Sequence, residues 1–95
     1  MNSPIEQAQG LLNDLIMAKA YMDKISDELE KLGPENVDSW EELYEKEFEL
    51  AMKIHSIHEE LNTVARRHMN KLTEFSLRRI LKESEKVYKP LIIEL

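Results

Sequence analysis

The sequence predicts an all-α chain: a three-helix bundle, or a long helical hairpin with coiled-coil-like packing, assembling into a dimeric bundle. Three observations carry that expectation. The 95 residues are 42% hydrophobic and 34% charged, with only two Gly and three Pro, a balance that suits helices and argues against a loop-rich or disordered chain. Apolar residues recur at spacings of three and four over long stretches. Capping signals bracket those stretches.

The first helix is expected over residues 4–32. Ser3-Pro4-Ile5-Glu6 offers a capping hydroxyl, a Pro at the first helical position and a Glu three residues after the cap, the arrangement of a capping box. Gly33-Pro34 stops the helix, Gly through the left-handed conformation and Pro because it cannot continue one. Between these signals Ala8, Leu11, Leu15, Ala18, Met22, Ile25, Leu29 and Leu32 form a heptad seam, widened by Leu12, Ile16 and Tyr21. Such a seam needs partner helices.

A second capping box, Ser39-Trp40-Glu41-Glu42, places the next helix over residues 39–72, with Asp38 a competing cap. No Gly or Pro follows until Pro90. Trp40, Leu43, Leu50, Ile54, Ile57, Leu61, Ala65, His68, Leu72 and Phe75 share one face, which should meet the first helix. Beyond them Leu77, Ile80, Leu81, Ser84, Val87, Tyr88 and Leu91 lie about 100° further round an ideal helix. A break near Asn70–Thr73, capped by Thr73, turns that shift into a third helix over residues 74–89. An unbroken helix would instead overhang the first and bury its surplus face on a second subunit. In either case Leu77, Leu81 and Tyr88 are the expected interface of a homo-oligomer. Pro90 is expected to end the helix and leave an apolar tail over residues 90–95, the whole forming a single domain.

Charge is unevenly divided. Residues 1–63 carry fifteen acids against five bases, and residues 64–95 four acids against eight bases. This asymmetry can steer partners or drive antiparallel self-association. On an unbroken helix Arg67, Lys71, Arg78, Lys82 and Lys89 fall on one stripe opposite the apolar face, the first four a candidate anion-binding surface. With Arg66 and Arg79 they support the alternative reading of a nucleic-acid-associated regulator. Against it, Glu74 and Glu85 interrupt the stripe, no aromatic lies between the bases to stack on nucleobases, and the overall charge is −6. A nucleic-acid partner is therefore not expected.

Chemistry-bearing motifs are sparse. His55 and His58, three apart, flank one helical face and could share a metal ion with Glu59, but no further ligand follows at useful spacing, so no metal or cofactor is expected. Glu41-Glu42-Leu43-Tyr44-Glu45 is similar to the Glu-Glu-x-x-Glu half of the magnesium site in all-α nucleotide pyrophosphatases. The second acidic pair those enzymes need is missing here, which leaves a solvated acidic face. His68 falls on the seam and should be a buried neutral imidazole with a depressed pKa. No catalytic residue is assigned. With no Cys, no basic-then-apolar leader and apolar runs as short as Leu15-Ile16-Met17-Ala18, a cytoplasmic protein with no membrane contact is expected. The function read from the sequence is a non-enzymatic helical module for protein–protein interaction or self-assembly, its partner itself or another helical protein.

Overall fold

A computed structural model describes the backbone of residues 3–33 and 35–94 and the side chains of residues 3–33 and 35–88. It contains three helices: α1 (Pro4–Lys31), α2 (Val37–His68) and α3 (Glu74–Glu94). α1 and α2 form a long antiparallel hairpin, and the shorter α3 returns across the end where α1 begins. The molecule is elongated, 57 × 27 × 15 Å. Among the described residues no helix is long and apolar enough to cross a membrane.

The start of α1 is as its sequence requires. Ser3 Oγ accepts a hydrogen bond from the Glu6 backbone N–H at 3.2 Å, and Pro4 takes the first helical position. The second cap differs. α2 begins two residues earlier than Ser39, with Asn36 at the cap position and no side-chain hydrogen bond there. No described Gly has a positive φ, so Gly33 does not supply a left-handed cap; α1 ends instead with Leu32 in an extended conformation. Pro34 lies outside the described residues.

The break between α2 and α3 falls in the predicted interval and is made by side chains. Asn70 Oδ1 accepts from the backbone N–H groups of Leu72 and Thr73, at 2.9 and 3.2 Å. The Thr73 hydroxyl donates to the His68 carbonyl at 2.7 Å and accepts from the Asn70 N–H at 2.9 Å. Backbone groups freed at one helix end and the start of the next are thereby satisfied locally. Asn70→Ala should cost about 1 kcal/mol of unfolding free energy, because the Leu72 N–H loses its acceptor, while the Thr73 N–H keeps the Asn70 carbonyl at 3.1 Å. Urea titration monitored by circular dichroism checks this, and an unchanged midpoint would show the corner to be held by packing alone.

Two apolar clusters run along the bundle. One joins Ala8 and Leu12 of α1, Leu61 and Val64 of α2, and Leu77 and Ile80 of α3. The other joins Leu15, Ala18 and Met22 to Ile54 and Ile57, with Val87 and Tyr88 packed on its edge. The α1 seam thus faces the α2 stripe, as its periodicity requires. The expected subunit interface is used differently. Leu77 is fully buried in the first cluster, Leu81 is half-buried against it, and Tyr88 is half-buried against the second. Once the chain breaks at residues 69–73, α3 folds its rotated arc back onto its own hairpin. The chain therefore covers that arc itself. α3 also continues through Pro90 to Glu94, since a Pro removes one hydrogen bond without preventing the remaining turns. The apolar side chains of residues 90–95 lie outside the described ones.

Candidate functional site

The α2–α3 seam carries one buried polar cluster. His58 is 9% exposed, and its Nδ1 shares a hydrogen bond of 2.7 Å with Ser84 Oγ, which is fully buried. The Tyr88 ring stacks on the His58 imidazole at 4.2 Å between centroids and 12° between planes. The Tyr88 hydroxyl bonds to Nδ1 of His55, an exposed residue one helical turn earlier. Burial holds the His58 pKa below its ordinary value; Glu59 and Glu85 oppose this shift and His55 adds to it. No buried side-chain polar atom among the described residues lacks a partner.

This cluster revises one expectation. The buried histidine on α2 is His58; His68 is the last residue of the helix and is exposed. His68 has the phase of the seam, but the chain turns away immediately after it. His55 and His58 both engage Tyr88. Each spends Nδ1 on α3, with Tyr88 between them, and no group of three metal-ligating side chains forms among the described residues. The arrangement is a satisfied structural lock that fixes the register of α3 on α2.

The surface offers more. In its first half α2 exposes Val37, Trp40, Tyr44, Phe48 and Met52, with Phe48 62% exposed. The Trp40 and Tyr44 rings lie 4.8 Å apart at 32°. Trp40 precedes His58 by about five helical turns, so the two side chains leave α2 in nearly the same direction. His58 meets α3 there, whereas Trp40 lies about 27 Å further along the axis. From Tyr88, level with His55 and His58, the α3 backbone runs only about 9 Å more to Glu94. Val37, Trp40, Tyr44 and Phe48 therefore extend the α3-binding side of α2 past the end of α3. Glu41, Glu42 and Glu45 beside them are exposed, and Ser26 of α1 donates to Glu47 across the hairpin at 2.8 Å. The spacing Trp40-x-x-x-Tyr44-x-x-x-Phe48 was the available signal for this stripe, hidden by the assumption that one apolar face meets one partner.

The opposite end is basic. Arg66, Arg67, Lys71, Arg78, Arg79 and Lys82 are all exposed. The break separates Arg67 on α2 from Lys71 in the turn and Arg78 and Lys82 on α3, so they form a corner and not the single straight stripe of an unbroken helix. Arg78 pairs with Glu74 at 2.9 Å. Leu72 and Phe75, expected on the buried face, stand 92% and 82% exposed in this basic corner.

Residues 38–49 hold six acids and one base, and residues 66–82 six bases and one acid. The described surface thus bears an acidic aromatic step at the hairpin tip and a basic, apolar corner at the far end. Comparison of the chain with protein-family models, with curated proteins and with solved structures finds no match.

Proposed function

We propose that the protein is a non-enzymatic helical interaction module of the cytoplasm, which binds a partner helix along the uncovered part of the α1–α2 hairpin. The observation that supports this reading most is the exposed row Trp40, Tyr44 and Phe48, which continues the side of α2 that α3 already uses. A row of large apolar side chains at helical spacing, rimmed by carboxylates, suits an amphipathic helix laid into a groove. Aromatic residues of this kind supply most of the binding free energy at such interfaces. The cysteine-free composition accords with a reducing compartment.

The test is a photo-crosslinking side chain placed at Tyr44 in one chain and at exposed Asn13 in another, each expressed in its native cell. Position 44 should give a discrete adduct, identified by mass spectrometry, that position 13 does not. Equal, diffuse labelling at both positions would overturn the reading.

A further inference from the structure

We propose that the occupant of the acidic aromatic step is a second copy of this chain, paired antiparallel, with its basic α2–α3 corner seated on the step. This rests on the interaction reading above and names the partner.

Shape comes first. α3 has 21 residues against 32 in α2, and it sits at the end of the hairpin where α1 begins. One side of the hairpin is therefore raised by α3 at one end and bare at the tip. Two such wedges placed face to face match only when one is reversed, because the raised end of each then lies over the bare end of the other.

The chemistry agrees with that orientation. Leu77, Ile80 and Ser84 point α3 into the bundle. Phe75, Arg78, Arg79 and Lys82 fall on its opposite side at 100° per residue, and all are exposed. The outward back of α3 near its start, together with Leu72 in the preceding turn, is thus apolar at the centre and basic at the rim. The tip of the other copy presents Trp40, Tyr44 and Phe48 rimmed by Asp38, Glu41, Glu42 and Glu45. Apolar surface meets apolar surface, and the basic rim of the corner faces the four carboxylates Asp38, Glu41, Glu42 and Glu45. A two-fold axis makes the same contact twice and closes the assembly, leaving neither step nor corner free. A parallel pair would set acid on acid and base on base.

Trp40 is the one Trp in the chain and lies in the step, so its emission reports the contact directly. Light scattering should give twice the 11.2 kDa of one chain, with Trp40 emission moving to the blue as concentration rises. The dimer should weaken between about 0.05 M and about 1 M salt, over which charge pairs at the rim are screened. Reversing the tip charges (Glu41→Lys with Glu45→Lys) or the corner charges (Lys71→Glu with Arg79→Glu) should each yield a folded monomer by circular dichroism. Mixing the two variants should restore a heterodimer, since both contacts are then complementary again. A wild-type chain that stays monomeric at about 0.5 mM, well above a dissociation constant in the micromolar range, would overturn the proposal. So would a dimer indifferent to both reversals. Capture of a different protein at Tyr44 by a monomeric chain would keep the interaction reading and overturn self-pairing.

Discussion

Leu61→Ala is expected to lower the unfolding free energy by about 2–5 kcal/mol, the range for removing a large aliphatic side chain from a packed interior. Leu61 is fully buried where all three helices meet, among Ala8, Leu12, Val64, Leu77 and Ile80. A cavity there loosens α3 from the hairpin as well as α1 from α2, so little compensating collapse is available. Met17→Ala supplies the contrast. Its side chain is 71% exposed on α1, away from both proposed contact surfaces, and should change stability by less than about 0.5 kcal/mol. Urea unfolding of dilute protein measures both. A Leu61→Ala loss as small as that of Met17→Ala would mean that the three helices do not converge on this residue.

His58→Ala should cost about 1–3 kcal/mol near neutral pH, because Ser84 loses its partner inside the bundle and Tyr88 loses the ring it stacks on. Replacing both members, His58→Leu with Ser84→Ala, should recover part of the loss, since neither then leaves a buried polar group unpaired. The pH dependence has a definite sign. Burial depresses the folded-state pKa of His58, so the unfolded chain binds the proton more readily. Stability is therefore fully present above about 6.5, the unfolded value, and declines as pH falls through it. The decline levels off below the folded-state pKa. Protonation would also put a charge beside His55 at the seam that holds α3, so loss of α3 packing should accompany it. Comparing unfolding curves at about pH 7.5 and about pH 5 for wild type and the double variant isolates this contribution. If both show the same slope with pH, the dependence originates elsewhere.

Much of the fold was legible in the residues, for local reasons. The Ser3 cap and the seam of Ala8, Leu15, Ala18, Met22 and Ile25 need only the chain's own neighbours and the 3.6-residue repeat, and the structure contains both. The rotation of the apolar face after Phe75 marked the break, because an ideal straight helix cannot present two stripes to one partner. Local signals were weaker where they competed. Asn36 opens α2 ahead of the Ser39 capping box, since one earlier turn of helix outweighs a side-chain cap.

What the sequence by itself determined is an all-α fold, the approximate span of α1 and the faces of α1 and α2 that meet, whereas one helix or two over residues 39–89 were both compatible with its signals. What only the tertiary structure decided is which part of each face is covered. Helical phase follows from residue number, but coverage depends on how far a neighbouring helix runs along the axis. Leu77, Leu81 and Tyr88 look surplus until α3 is seen to turn back on its own hairpin. His68 has the right phase and the wrong axial position, whereas His58 lies level with Ser84 and Tyr88 and is buried. Trp40 has nearly the same phase as His58 yet is exposed, because it lies about 27 Å further along α2 than the level at which Ser84 and Tyr88 pack. The candidate binding surface is thus set by axial position along α2 relative to the α3 residues that pack on it, a relation between distant segments that no local pattern records.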